Sequence, residues 1–200
     1  RQSTAERARR YSESELASRH LAGGQCLSVL ASDLADVAAD AIVVPATADW
    51  SLPGITGKHL KEVGGSHFGF CIAEAAKQGP LKPGQAELVE GEYFAAKHAL
   101  IAHGPSWNGK ASGKSKTALA ETVRNCLAIA DANGLHSIAF PNIGAGRSAF
   151  PKELAAQTII KTIEAYFQKA HSKSTLKKVI FVLYDGDLDV YSQEIVRLLE

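Results

Sequence analysis

The sequence predicts an α/β domain, and three observations carry that expectation. Short apolar, β-branched runs alternate along the chain with longer stretches whose apolar residues recur at helical spacing, the pattern of strands joined by helices. The 200 residues are 46% hydrophobic and 22% charged, a globular composition that excludes a disordered or collagen-like chain and suffices for one sizeable core. No internal repeat or low-complexity segment breaks the alternation.

Taken in order, Arg1–Arg10 (RQSTAERARR) is polar and basic without a large apolar residue, so residues 1–15 are expected to form a linker or frayed segment and residues 16–200 the packed domain. Six runs bounded by Gly, Pro or Asp read as strands: Cys26–Ser32, Ala41–Pro45, Ala86–Glu90, His98–His103, Ser137–Ile143 and Val179–Tyr184. A short helix is expected over Lys58–Val63. Leu119, Val123, Cys126, Leu127 and Ala130 define a second helix with one buried face, and Ala155, Ile159, Ile163, Tyr166 and Phe167 a third. Pro151 suits the first position of that third helix, and Glu153 suits the positive end of its dipole. A last helix is expected from about Val190 to Leu199.

Charge and cysteines bound the function. With 22 Lys+Arg against 21 Asp+Glu there is no overall field for nucleic acid or an anionic membrane, so an anion site must be local. No apolar run is long enough to span a bilayer, and a soluble protein is expected. Cys26, Cys71 and Cys126 match no disulfide framework or metal spacing, which suggests reduced thiols in a cytosolic or nuclear protein. A chain that begins at Arg1 and contains no Met is expected to be a segment of a longer one.

The stretch with most chemistry is Phe140-Pro-Asn-Ile-Gly-Ala-Gly-Arg-Ser-Ala-Phe-Pro151, a strand running through small residues into a helix. Gly144, Ala145 and Gly146 let the backbone approach a ligand, so that N–H groups and the helix dipole can converge on phosphate oxygens; a tight strand-to-helix connection explains the glycines equally well. A second loop, Thr47-Ala-Asp-Trp-Ser-Leu-Pro-Gly-Ile-Thr-Gly57, follows another strand, and two such loops suggest a two-sided clamp. Asp33 adds a carboxylate able to accept from an exocyclic amine, or simply to cap a turn. Asp185 closes a buried strand, where α/β ligand sites usually open.

Other motifs fail on spacing. Gly144-x-Gly146-x-x-Ala149 fits the relaxed dinucleotide fingerprint, but the acidic residue 20 positions on, Glu164, falls inside a helix. Gly109-Lys-Ala-Ser-Gly-Lys-Ser115 is one residue short of a P-loop and reads as a basic surface loop. Asp185-Gly-Asp187-Leu-Asp189 lacks the Gly and the bidentate Glu of a calcium loop, and the seven histidines form no metal or triad spacing. No metal site is expected.

Five segments in register resemble the macrodomain family: Ser32-Asp33-Leu34, Asp40-Ala-Ile-Val-Val-Pro45, Gly54-Ile-Thr-Gly57 followed by Gly64, Ile143 to Phe150, and Val182-Leu-Tyr-Asp185. Thr122–Asp131 and Ser137–Arg147 are most similar to the macrodomains of macro histone variants. The resemblance implies a three-layer α/β/α sandwich around a mixed sheet, with a cleft for ADP-ribose, free or attached to proteins. It implies that Asp33 accepts from the adenine amine with the Leu34 backbone alongside, that Tyr184 packs on the base next to Asp185, and that Gly54 and Ile55 line the pyrophosphate and distal ribose from one side. Gly144, Ala145, Gly146, Arg147 and Ser148 would wrap the phosphates, and Phe150 would pack near the distal ribose.

Hydrolytic members carry an Asn where this chain has Thr47 and an Asp where it has Thr56. Thr is no general base near neutral pH, so the expectation is a binding module without efficient catalysis, not an enzyme. Ser148 and Ala149 also depart from the family pattern. The implied setting is nuclear chromatin, reached through a fused histone part outside this chain, with ADP-ribose or ADP-ribosylated proteins as partners, no cofactor, no membrane and no direct nucleic-acid site. The alternatives are an ADP-ribosyl hydrolase using the same cleft and a ligand-free chromatin scaffold.

Overall fold

The computed structural model describes residues 15–91, 93–109, 113–146, 148–170, 173–184, 195–197 and 199. Seven strands form one sheet: β1 (Glu15–His20), β2 (Cys26–Ala31), β3 (Ala41–Pro45), β4 (Ala86–Glu90), β5 (His98–Ala102), β6 (Ser137–Pro141) and β7 (Lys178–Leu183). Their order is β1-β2-β7-β6-β3-β5-β4. The five inner strands run parallel, and β1 and β4 close the two edges antiparallel. The sheet is therefore mixed, with all five inner carboxy-terminal ends along one edge.

The six expected strands all form, and β1 joins them. Its sequence, ELASRH, alternates weakly and stays largely exposed because an edge strand needs no apolar face of its own. It is held by the antiparallel ladder to β2 and by an ion pair from Arg19 to Glu164.

Among the described residues, three long helices cover the sheet: α1 (Gly54–Ala76), α2 (Gly113–Ala132) and α3 (Lys152–Ala170). Alternate side chains of each inner strand enter opposite cores. Val43, Leu100, Phe140 and Phe181 pack with Leu119, Val123, Ile159 and Ile163 of α2 and α3. Ile42, Val44, Ile101 and Ile180 pack on the other side with Trp50, Leu60 and Phe68 of the α1 layer. This is a three-layer α/β/α sandwich.

The periodic residues of α2 and α3 are buried as expected, Tyr166 only partly. Pro151 precedes α3 instead of opening it, and its carbonyl accepts the Ala155 N–H at 2.9 Å. Helix α1 is much longer than Lys58–Val63. It bends at Gly65 (φ 65°, ψ −162°), and a Cβ at Gly64 would lie 2.7 Å from the Phe68 ring, so glycines that mask the helical pattern permit the close packing. Ile195, Val196, Arg197 and Leu199 are helical, with Ile195 and Leu199 in the core; the rest of the expected last helix lies outside the described residues, as do the P-loop-like Lys110, Ala111 and Ser112.

Candidate functional site

Every inner strand delivers a loop to the same edge of the sheet. β3 and β6 are neighbours, yet the chain leaving β3 turns into α1 on one face and the chain leaving β6 turns into α3 on the other. Ligand crevices of open α/β sheets form where successive connections diverge in this way. Here the strands also separate: β3 and β6 are paired only at Ala41↔Ile138 and Ile42↔Ala139. Beyond those pairs Val43–Pro45 stay with β5, and Phe140 and Pro141 stay with β7. The sheet thus opens toward its carboxy-terminal edge.

On the β6 side the loop is tied into a compact curl. The N–H of Ala145 donates to the Asn142 carbonyl, that of Ala149 to Gly146, and that of Phe150 to Gly144 at 2.8 Å. Gly144 takes φ +85°, and a Cβ there would sit 3.1 Å from the Phe150 ring, so the backbone lies directly on that ring. Phe150 itself is 2% exposed and packs at a tilt against Trp107, 4.9 Å between centroids, supporting the loop from beneath. Among the described residues, the N–H groups of Gly144, Gly146 and Ser148 donate to no protein acceptor. Arg147 lies outside the described residues.

On the β3 side, residues 47–51 form a turn braced from within. The Thr47 hydroxyl donates to the Asp49 carboxylate and lies 3.2 Å from the Ser51 carbonyl, and the Ser51 N–H also donates to Asp49. Hydrogen bonds, first from Thr47 and then from Ser51, hold the Asp49 carboxyl below the usual carboxylate range. The Trp50 indole N–H is anchored on the Gly79 carbonyl at 2.9 Å. Helix α1 then starts after Pro53 with no side-chain cap and no acidic residue in its first turn, leaving N–H groups and the positive end of the dipole toward the open edge. Gly54 has φ +74°, and a Cβ built on it would meet nothing within 4 Å. Ile55 is 76% exposed.

Beyond β6, the ends of β7 and β2 complete the edge. Tyr184 is half-exposed directly after β7, where the Leu183 carbonyl receives the Ser32 N–H at 3.0 Å. Asp33 follows β2 and caps the 3₁₀ turn Leu34–Asp36 by accepting the Ala35 N–H at 3.1 Å; the Leu34 side chain is buried in the α1 core. The other Asp33 oxygen is 3.0 Å from Nε2 of His59, on the second turn of α1. Sequence reasoning missed His59, because the pair joins residues far apart in the chain and no spacing rule connects them. Asp185 lies outside the described residues.

Chemically, this edge offers unpaired backbone donors from two facing loops, a helix dipole, an aromatic ring and a carboxylate. Such an arrangement is chemically suited to an anionic, phosphate-bearing ligand. The Macro domain family matches residues 45–159, and the chain belongs to that family.

The chain is 34% identical over 176 residues to histone macroH2A1.1 of Capsaspora owczarzaki, covering 87% of this chain but only 47% of that protein. It is 32% identical over 162 residues to an O-acetyl-ADP-ribose deacetylase of Cronobacter turicensis, covering 80% of this chain and 90% of that one. Solved macrodomains share the fold. That of Oceanobacillus iheyensis with ADP gives a TM-score of 0.77 at 21% identity, covering 91% of this chain and 96% of that one. That of Trypanosoma brucei with ADP-ribose gives 0.72 at 20% identity, covering 86% and 68%.

These relatives correct one expectation. Thr47 and Thr56 alone point away from enzymatic activity, but several relatives about 30% identical over most of their length are named as O-acetyl-ADP-ribose deacetylases. The physical reason is that two side chains do not define a hydrolytic site. Ester hydrolysis also depends on how substrate and water are positioned, which groups other than these two side chains can supply.

Proposed function

We propose that the crevice binds ADP-ribose, with the pyrophosphate between the first turn of α1 and the 144–148 loop. The observation that carries this reading is the parting of β3 and β6 between two loops whose backbone donors lack protein partners. Such N–H groups suit phosphate oxygens better than a neutral ligand, because hydrogen bonds to an ionised acceptor are the strong ones. In this reading Gly54, Ile55, Gly144, Ala145, Gly146, Arg147 and Ser148 contact the phosphates and distal ribose, and Phe150 acts by shaping the loop. Asp33, with Leu34, receives the adenine amine, and Tyr184 and Asp185 border the base. Four adjacent strands, from β2 to β3, separate the two ends by three strand spacings, roughly 14 Å, which leaves room for a base at one end and a diphosphate at the other.

The deacetylase relatives support a second reading of the same crevice, removal of an acetyl group from bound O-acetyl-ADP-ribose: water adds to the ester carbonyl and acetate and ADP-ribose leave. Likeness to a histone macroH2A1.1, of which this chain spans 47%, supports a nuclear, chromatin-associated setting with ADP-ribosylated proteins as partners. Titration calorimetry with ADP-ribose, with ADP and NAD for comparison, tests the binding, and acetate release from O-acetyl-ADP-ribose tests the turnover. Micromolar or tighter binding is expected; no heat at millimolar ligand would remove the reading.

A further inference from the structure

The Asp33–His59 pair is not explained by the fold. Leu60, fully buried beside His59, already anchors this turn of α1, and the 3₁₀ turn after β2 is capped through the Ala35 N–H alone. Both partners remain partly exposed at the crevice edge, with side chains 32% and 42% accessible. We propose that His59 is a positioning residue that sets the base selectivity of the crevice by fixing the direction in which Asp33 accepts. The inference rests on the ADP-ribose reading above and deepens it.

The terminal torsion of an aspartate is broad, so a carboxylate held by one bond can turn. Asp33 is held by two donors from separate parts of the chain, the Ala35 N–H on Oδ1 at 3.1 Å and Nε2 of His59 on Oδ2 at 3.0 Å. Together they fix the plane of the group. Each carboxylate oxygen has two lone-pair sites, so the fixed group still presents acceptor capacity and no donor. It therefore favours a purine bearing an amine at position 6 and opposes one bearing a carbonyl, whose oxygen would face it lone pair to lone pair. His59 also stands on the helix whose first turn borders the phosphate region, so one rigid element sets the base against the phosphates.

The test is titration calorimetry of the whole chain with ADP and IDP, which differ at this amine, and with inorganic pyrophosphate. Wild type is compared with His59→Ala and with His59→Gln, whose amide N–H replaces the imidazole donor. We expect wild type to prefer ADP, His59→Ala to reduce the ADP/IDP affinity ratio about tenfold, and His59→Gln to restore most of it, with pyrophosphate affinity unchanged throughout. An unchanged ratio in His59→Ala, or a Gln variant no better than Ala, overturns the proposal. If His59→Ala fails to melt cooperatively, His59→Phe, a ring without a donor, takes its place with the same expectation. Wild type that binds neither ADP nor ADP-ribose overturns the binding reading itself, an outcome distinct from binding with an unaltered ratio.

Discussion

The two edges of the central sheet treat their polar groups in opposite ways. At the amino-terminal edge, loops are tied down by two carboxylates. Asp40 accepts the His136 N–H at 2.7 Å and the Ser137 N–H at 3.2 Å, with Lys97 at 3.5 Å. Asp131, at the end of α2, accepts from the hydroxyls of Tyr166, Ser174 and Thr175 and from the Thr175 N–H. Burial alone would raise both carboxyls, but the donors around them outweigh it and hold both below the usual carboxylate value. At the carboxy-terminal edge the N–H groups of Gly144, Gly146 and Ser148 and the first turn of α1 have no such internal partner. One edge satisfies its donors with its own acidic side chains; the other leaves them without a protein acceptor among the described residues.

Substitutions at the two edges should therefore separate binding from stability. The largest effect is expected from Gly54→Glu: a side chain and a negative charge beside the phosphates should reduce ADP-ribose affinity at least about 100-fold in calorimetry. The positive φ there should cost only about 1 kcal/mol of stability in urea unfolding. Asp131→Ala should do the reverse. Stripping the acceptor from four donors should cost about 3 kcal/mol in the same unfolding experiment, while ADP-ribose affinity stays within twofold. A joint loss of both properties in either variant would break the contrast.

Asp33→Ala should weaken ADP-ribose by about 1–3 kcal/mol without weakening pyrophosphate, because only the base end loses an acceptor. The smallest effect concerns acid. Depressed folded-state values mean that Asp40 and Asp131 contribute their full stabilisation above the ordinary carboxylate pKa of about 3.9 and lose it as pH falls through their folded values. Urea midpoints of Asp131→Asn should accordingly fall less between pH 7 and pH 3 than those of wild type.

The fold was largely legible because its signal is local. The six inner and edge strands rich in Val, Ile and Leu, and the periodic faces of α2 and α3, announce themselves within short windows. β1 did not, since an edge strand held by backbone pairing and by Arg19 needs no apolar alternation. Most of α1 is hidden by Gly64, Gly65 and Gly69, which weaken the helical signal, while Gly64 allows the Phe68 contact. The glycine loops stand out in the sequence, but their tethering does not: the Phe150 ring beneath Gly144 and the His59 bond to Asp33 are products of packing. The tethering role of Asp40 and Asp131 carries no sequence signal because their donors lie up to 97 residues away. Catalysis was misjudged for a related reason, since it was read from Thr47 and Thr56 alone.

On the proposed reading, ADP-ribose occupies the carboxy-terminal edge between β3 and β6. Amide-resolved NMR titration of this chain with ADP-ribose tests it most directly. Shifts concentrated at Asp33, Gly54, Ile55, Gly144, Gly146, Ser148 and Tyr184, with His136, Ser137 and Thr175 unmoved, are the predicted result. Saturable shifts confined to the opposite edge, or spread along α2 and α3 while the glycine loops stay still, would contradict it.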